Sequence, residues 1–188
     1  IKESQTILEN KVRERTSELE TAQKISRTGS WVLDMEVNSL VLSNEMFEIF
    51  DIPDGTPPLY SYENFLSIIH PDDKEYANNQ WTNAMQNGGS YSIEYRIVSG
   101  HNTKWIEAKS EFTLDEHGKL KKGTGSVQDI TERKLAEMTL VKFKTAIESS
   151  GEAIFMTDTK GIITFINPEF TKLYGYSIEE VVGKMTPR

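Results

Sequence analysis

The chain matches itself at an offset of 124 residues, and this repeat limits what it can fold into. Residues 19–52 align with residues 143–176 without a gap. The identical pairs are Thr21/Thr145, Ala22/Ala146, Ser26/Ser150, Asp34/Asp158 and Glu45/Glu169. Further aligned positions keep a large apolar residue in both copies, as at Trp31 and Phe155. This offset is too long for a solenoid repeat and fits a whole small domain, so we interpret the chain as tandem domains with a truncated second copy.

The composition excludes several classes of function. The net charge of −8 argues against a nucleic-acid partner, because phosphate binding requires clustered Lys and Arg. The chain contains no Cys, which excludes disulfides, thiolate metal sites and cysteine nucleophiles. No apolar run approaches the ~18–20 residues that span a bilayer, and no signal peptide is visible. We therefore expect a cytoplasmic module, and a membrane tether upstream of it stays open.

The first 26 residues predict a long helix with a coiled-coil seam. They contain no Gly or Pro, and Val12 and Leu19 fit heptad a positions. The corresponding d positions hold Ile1, Leu8, Arg15 and Ala22. A seam this narrow favours a two-stranded coil, and hence a homodimer, over a lone amphipathic helix packed on its own domain.

The next hundred residues or so predict a hairpin, two short helices, a long helix and three strands, in that order. The hairpin is indicated by alternating Trp31, Leu33 and Met35 followed by the apolar run Leu40–Leu42. Alternating stretches separated by turn residues predict the last three strands within residues 91–129. Consecutive strands joined by tight turns favour an antiparallel sheet, with the preceding helices on one of its faces.

The last of these strands leads directly into a second long helix. Asp129, Ile130 and Thr131 form the connection, and either Asp129 or Thr131 is able to cap the helix. The apolar residues of this helix recur at spacings of four, three and four, at Ala136, Leu140, Phe143 and Ile147. When the chain is shifted by 124 residues, Val12 and Leu19 align with Ala136 and Phe143, so the two seams share one heptad register. Each copy is therefore preceded by an equivalent helix.

The order of elements and four local strings resemble the PAS family. The strings are GSW at Gly29–Trp31, HPDD at His70–Asp73, EYRI at Glu94–Ile97 and GTGSVQDITERK at Gly123–Lys134. The last string is similar to the exit, or PAC, motif of many PAS domains. Residues Phe165–Lys184 are similar to the front half of a second PAS domain. The resemblance implies an α+β fold with a five-stranded antiparallel sheet, helices on one face enclosing a small cavity, and coiled-coil helices flanking it at both ends.

The repeat and the resemblance together divide the chain into four segments. These are an N-terminal signalling helix at residues 1–26, a PAS domain at 27–130, a linker helix at 131–150, and the first part of a second, truncated PAS domain at 151–188. We expect the last segment to be mobile, or ordered only by contacts with the first domain or another chain. It falls below the ~40 residues at which a core supports itself.

The resemblance implies a sensory or dimerisation input that passes changes through its flanking helices to an output domain in the same polypeptide. We expect that output to be a histidine kinase, with a cyclic-dinucleotide enzyme as the less favoured choice. On this view Asp129, Ile130 and Thr131 are the signal-relay junction. A ligand-free dimerisation and relay element is the alternative function. The sequence contains no phosphoacceptor histidine motif, ATP-binding loop or cyclase signature, so we expect no catalysis by this segment itself.

Cofactor chemistry finds little support in the sequence. Flavin photochemistry of the light-oxygen-voltage type needs a reactive cysteine, and there is none. His70 precedes a proline at a predicted helix start, while His101 and His117 lie in predicted turns. Surface or capping roles are therefore expected for these histidines, and haem ligation is disfavoured. A small-molecule ligand stays open but unidentified.

Three further groups of residues are interpreted as structural. Asp72, Asp73 and Glu75 are expected to form a solvated first turn, because no Gly-punctuated calcium loop surrounds them. The Gly123–Gly125 string lies in a predicted strand and is not a dinucleotide fingerprint. Seven aromatic residues either line a pocket or fill the core, and core filling is favoured: Trp31, Phe47, Phe50, Phe65, Trp81, Tyr95 and Trp105. Alternation alone does not fix which strand face points inward, so no pocket residue is assigned.

Overall fold

The chain is described here from a computed structural model, which covers residues 2–52, 62–100 and 102–187. It divides into two compact units, Ile1–Glu132 and Arg133–Arg188. The predicted seam residue Ile1 and the turn residue His101 lie outside the described residues. Among the described helices, none is both long enough and apolar enough to cross a membrane.

The first unit contains a long N-terminal helix and a five-stranded sheet. Its helices are α1 (Lys2–Ser26), α2 (Asn44–Ile49), α3 (Tyr62–Ile68) and α4 (Lys74–Asn87), with a 3₁₀ turn at Pro71–Asp73. Its strands are β1 (Thr28–Asp34), β2 (Ser39–Leu42), β3 (Gly89–Ser99), β4 (Asn102–Leu114) and β5 (Leu120–Asp129). The sheet is antiparallel throughout, in the order β2-β1-β5-β4-β3. The expected α+β fold is confirmed.

One face of the sheet carries the hydrophobic core. In β4 the buried positions follow the two-residue period of a strand, at Ile106, Ala108, Ser110 and Phe112. Residues of α2, α3 and α4 pack against this face. A row of paired residues crosses the whole sheet from edge to edge: Tyr91, Ser110, Gly125, Trp31 and Leu42. We call this set the central row.

The break between α1 and β1 lies at a single residue. Arg27 has a left-handed φ of 48°, and β1 begins at the next residue. The helix predicted over the first 26 residues ends at Ser26, and Thr28–Ser30 already belong to the strand. Gly29 is required there because a Cβ atom would lie 2.7 Å from the Sδ atom of Met46.

The linker helix α5 (Thr131–Glu148) leads from the first unit into the second. The second unit adds β6 (Phe155–Thr157), β7 (Ile163–Ile166), α6 (Pro168–Tyr174) and α7 (Ile178–Val181). Its small core consists of Ile163, Ile166, Phe170 and Val181. The mobility expected of residues 151–188 stays a prediction.

The repeat of the sequence recurs in the pairing of the hairpins. In the first copy Trp31 pairs with Leu42. In the second copy Phe155 pairs with Ile166, at the same offset of 124 residues in each strand. The two hairpins therefore share one register.

The hydrogen bonds beside the hairpins repeat as well. The hydroxyl of Ser43 accepts from the N–H of Ser30 at 3.0 Å, and the Oδ1 atom of Asn167 accepts from the N–H of Ile154 at 2.8 Å. In the opposite direction, Ser43 N donates to Ser30 O and Asn167 N donates to Ile154 O. The sequence repeat is thus a structural duplication.

Each copy also bonds its preceding helix to this corner, although by different side chains. In the first copy the Nε2 atom of Gln23 donates to the hydroxyl of Ser30 at 3.0 Å. In the second, the Nδ2 atom of Asn167 donates to the carbonyl of Ile147 in the last turn of α5 at 3.1 Å. Ile147 is the residue that the repeat aligns with Gln23.

Candidate functional site

An apolar cavity of about 440 Å³ lies between the inward face of the sheet and the helices of the first unit. Five of the seven aromatic residues considered above line it: Trp31, Phe50, Phe65, Trp81 and Tyr95. Phe47 and Trp105 are not among the described residues of its wall. The two interpretations of the aromatic set therefore combine, because these side chains both fill the core and enclose a space.

The Trp31 indole occupies the middle of this wall. Its ring centroid lies 5.6 Å from that of Trp81 and 5.8 Å from that of Phe112. A Cβ atom on Gly125 would lie 2.6 Å from the Trp31 ring, and one on Gly123 would lie 2.7 Å from the Phe112 ring. The Gly123–Gly125 string therefore leaves room for two aromatic rings on the sheet.

Among the polar residues that line the cavity from the sheet, Tyr95 and Ser110 are the most buried. Tyr95 is 1% exposed and Ser110 is 6% exposed, and both line the cavity. Neither the Tyr95 hydroxyl nor the Ser110 hydroxyl has a hydrogen-bond partner among the described residues. Burial raises the pKa of the Tyr95 phenol far above its ordinary value, so this group stays protonated. The sequence analysis assigned neither residue to a pocket.

The end of α1 and the start of α5 meet where β1 begins and β5 ends. The Arg27 guanidinium, just after α1, lies 2.7 Å from the carboxylate of Glu132 in the first turn of α5. The Nε2 atom of Gln128 also donates to the carbonyl of Ser26 at 3.0 Å. The Glu132 carboxylate raises the pKa of Arg27 above its usual value. Residues far apart in sequence thus join the end of one helix to the start of the other.

The predicted junction residues bond in two different directions. The Asp129 carboxylate accepts from the N–H of Thr131 at 2.9 Å, at the first residue of α5. The Thr131 hydroxyl instead accepts from the N–H of Trp105 in β4 at 2.9 Å. Ile130, 5% exposed, donates its N–H to the carbonyl of Trp105 at 2.9 Å. Of the two candidate caps, Asp129 contacts the helix start and Thr131 holds the helix start against the sheet.

The HPDD and EYRI strings contact each other through an ion pair. The Nε and Nη2 atoms of Arg96 donate to the two carboxylate oxygens of Asp73 at 2.9 and 2.7 Å. The Asp73 side chain is only 18% exposed, and the guanidinium holds its pKa below the usual value. The expectation of a solvated turn is therefore wrong for Asp73. Arg96 lies far along the chain from this turn, so local spacing in the sequence does not show that the two side chains pair.

Other parts of the same turn agree with the sequence analysis. The Asp72 side chain is 71% exposed. The Nδ1 atom of His70 accepts from the N–H of Asp72 at 3.3 Å, so His70 caps the 3₁₀ turn. His117 is exposed in the turn between β4 and β5. In the described part of the chain, no group of three or more His, Asp or Glu side chains is placed to hold a metal ion.

The predicted seam residues are exposed on both helices. Leu8, Val12 and Leu19 of α1 are each more than half exposed. The seam residues of α5 are likewise exposed: Ala136, Leu140 and Phe143. The apolar seam is therefore available to a partner, and the coiled coil itself stays a prediction.

Comparison with known proteins gives the family. A model described as PAS fold matches residues 39–127, and a second one matches residues 142–188. The chain belongs to the PAS family. The first PAS match falls within the first unit and contains most of the residues that line the cavity. The second match begins in α5 and covers the second hairpin.

The relatives of this PAS chain are signalling proteins. It is 26% identical over 166 residues to the probable diguanylate cyclase DgcE of Escherichia coli, covering 86% of this chain and 15% of that protein. It is 27% identical over 161 residues to the sensor protein FixL of Bradyrhizobium diazoefficiens, covering 83% of this chain and 32% of that protein. The chain thus spans about a third or less of these curated relatives.

A solved structure agrees with the fold. A sensory box histidine kinase/response regulator from Burkholderia thailandensis superposes with a TM-score of 0.55 at 21% identity, covering 68% of this chain and 95% of that one. The chain is a PAS sensory module of the kind found in histidine kinases and diguanylate cyclases.

Proposed function

We propose that the chain is the signal-relay input of a cytoplasmic sensor histidine kinase. The PAS domain at residues 27–130 changes state when its cavity is occupied, and it transmits the change through α1 and α5. The observation that carries this proposal is the Arg27–Glu132 pair, which links both flanking helices where β1 begins and β5 ends. A change at this end of the two strands reaches the incoming and the outgoing helix together.

The cavity and the junction lie on the same two strands. Trp31 of β1 and Val127 of β5 both line the cavity. Val127 is two residues from Asp129, or roughly 7 Å along an extended strand. A ligand that displaces either side chain would therefore act close to the start of α5. Asp129, Ile130 and Thr131 are the residues that we propose to carry the change.

The proposed output domain follows from the relatives. FixL is a sensor protein, and further relatives from Brucella anthropi and Brucella ovis are blue-light-activated histidine kinases. The similarity to DgcE supports a diguanylate cyclase as the second candidate output. We also propose that the chain forms a homodimer through the seams of α1 and α5. Parallel pairing of these helices would place two copies of the junction side by side.

A fusion tests the relay. Residues 1–150 are joined in heptad register to a histidine kinase core, and autophosphorylation is measured with Asp129→Ala and with Thr131→Val. Both variants should change the rate severalfold, because they remove the bonds that orient the start of α5. Thr21→Val is the matched control, since the Thr21 hydroxyl bonds within α1, to the carbonyl of Ser17, and Thr21 falls outside the seam. Equal rates for all three variants and the parent would contradict the relay.

A further inference from the structure

The cavity wall contains two buried hydroxyls for which the described residues supply no hydrogen-bond partner. They belong to Tyr95 on β3 and Ser110 on β4. Buried hydroxyls are nearly always hydrogen-bonded in folded proteins, because they lose water without compensation when they are not. Phe and Ala would fill the same positions without that cost. Two such groups facing one space point to a ligand that supplies the missing bonds.

The wall of the cavity restricts the charge of that ligand. The described residues that line it include no Lys, Arg, His, Asp or Glu. Beyond the tyrosines and Ser110, its polar side chains are Thr82 and Gln86. A carboxylate, phosphate or ammonium group would lose its hydration here without a charged partner. The ligand is therefore neutral.

The size and the aromatic wall restrict its shape. A volume of about 440 Å³ lies within the roughly 300–1,000 Å³ of small-molecule sites. Trp81 lies 5.6 Å from both Trp31 and Phe65, measured between ring centroids. Flat apolar ligands pack well against such ring faces and edges. An aromatic compound fits this wall better than a flexible polar one.

The strand register restricts its length. Tyr95 pairs with Ile106, whereas Ser110 lies four residues farther along β4, in the central row. Four residues of extended strand correspond to roughly 13 Å between the backbone positions. This separation of the two residues favours an elongated ligand with a polar group toward each end.

We propose that the cavity binds a neutral, planar aromatic compound that directs one hydroxyl or carbonyl group to Tyr95 and another to Ser110. This proposal gives the ligand class for the sensory role proposed above, and it rests on that role. The binding step is measured separately from the relay, so the two can fail separately.

The probe is 2,6-dihydroxynaphthalene, and its charged counterpart is 2,6-naphthalenedicarboxylate. Binding to the full chain is measured by isothermal titration calorimetry and by quenching of tryptophan fluorescence. The diol should bind and the dicarboxylate should not. Tyr95→Phe and Ser110→Ala should each weaken binding of the diol by about fivefold to tenfold, the value of one hydrogen bond. The controls are Tyr76→Phe and Ser92→Ala, because both side chains are exposed and neither is a described lining residue.

Stability of the ligand-free variants supplies a second measurement. Tyr95→Phe should be at least as stable as the parent, because the hydroxyl that it removes has no hydrogen-bond partner among the described residues. A clear loss of stability would show that the hydroxyl has a structural role, and it would overturn the proposal. No binding of the diol up to about 1 mM, equal binding of the dicarboxylate, or unchanged affinity in both hydroxyl variants would overturn it as well.

The fusion described above separates this proposal from the relay. If the diol binds with the expected variant pattern but leaves autophosphorylation unchanged, the ligand class stands and the relay fails. If the junction variants change autophosphorylation while the diol does not bind, the relay stands and the ligand class fails.

Discussion

The guanidinium of Arg27 lies 2.7 Å from the carboxylate of Glu132, so the residue that follows α1 is bonded to the second residue of α5. Both side chains are mostly exposed, at 60% and 80%, and an exposed pair contributes little to stability. Its importance is geometric, because it fixes where two long helices leave one sheet. The junction around it gives the first prediction.

Thr131→Val should destabilise the first unit by about 1–2 kcal/mol, because the N–H of Trp105 loses its acceptor in a partly buried position. Thr131→Ser is the matched variant, since it keeps the hydroxyl and should restore most of the stability. Urea unfolding of both variants measures the difference. Equal destabilisation by Val and Ser would mean that the methyl group, not the hydroxyl, is what matters.

Gly125→Ala should destabilise the first unit by about 1–3 kcal/mol, the usual effect of overpacking. The added Cβ atom would lie 2.6 Å from the Trp31 ring and 2.7 Å from the carbonyl of Lys109, so Trp31 must move. The change should appear in the near-ultraviolet circular dichroism of tryptophan and in thermal unfolding. Thr124→Ala, on the opposite side of β5, is the control and should leave the tryptophan spectrum unchanged. A normal spectrum for Gly125→Ala would contradict the described packing.

Asp73→Asn should cost about 2 kcal/mol at neutral pH, because Arg96 loses a bidentate charged partner. Arg96 lowers the pKa of Asp73 in the folded state, so the pair stabilises the fold fully above the unfolded pKa of ~3.9. This stability is lost as the pH falls through the lower, folded-state pKa. The difference between the parent and Asp73→Asn should therefore be constant from about pH 5 to 8 and shrink below about pH 4.

The neighbouring carboxylate is the control for this pH dependence. Asp72 contacts the same guanidinium at 3.3 Å but is 71% exposed. Asp72→Asn should therefore change the free energy of unfolding by less than about 0.5 kcal/mol at any pH. If the two Asn variants behave alike, the Asp73 pair is not the stabilising contact described here.

Leu8→Glu should weaken the proposed homodimer at least about tenfold, because it would place a carboxylate in the predicted coiled-coil seam. Ile7→Glu is a closely matched control. Ile7 and Leu8 are adjacent and are 64% and 63% exposed, but Ile7 falls at a c position, outside the seam. Sedimentation equilibrium of the two variants tests the heptad register. Equal effects of the two variants would mean that association depends on exposed apolar surface and not on the heptad seam. A dimer that persists after removal of residues 1–26 would exclude α1 as the dimer element.

Asn167→Ala should unfold the second unit without affecting the first. The Asn167 side chain is 1% exposed, accepts from the N–H groups of Ile154 and Phe170, and donates to the carbonyls of Ile147 and Glu152. Loss of all four bonds leaves several buried groups unsatisfied.

Hydrogen exchange of backbone amides measures this effect. Residues 151–187 should exchange faster than residues 91–129 in the parent, and near the rate of an unfolded chain in Asn167→Ala. Lys160→Ala is an exposed control in the same unit and should leave the rates unchanged. Protection in the parent as strong as that of residues 91–129 would contradict the expected mobility.

The order and type of the elements could be predicted because they depend on local patterns. Gly88 follows the last residue of α4, and its φ of 69° explains why glycine is suited to that position. The repeat aligned Ser43 with Asn167 before either was known to bond the hairpin corner. Helix periodicity, turn residues and duplication are all visible within short windows.

The inward face of the sheet could not be predicted, because β4 carries conflicting signals on its two faces. Trp105 is large and aromatic but lies on the outward face, where Arg96 sits 5.6 Å from its ring centroid. Ser110 is polar but lies on the inward face with Ile106 and Phe112. The Asp73–Arg96 pair was missed for a related reason, since its partners come from different elements. Strand pairing and loop closure decide such contacts, and neither is encoded in local spacing.

The ties from Gln23 to Ser30 and from Asn167 to Ile147 make each preceding helix part of the domain that it enters. A gene rearrangement that moved a hairpin and sheet without that helix would leave its hydrogen-bonding groups without partners. The unit that can be duplicated or exchanged between proteins is therefore the domain together with the helix that precedes it. Duplication of this unit also keeps the spacing between successive domains constant. Further copies could therefore be added to the chain without changing the heptad register of the connecting helices.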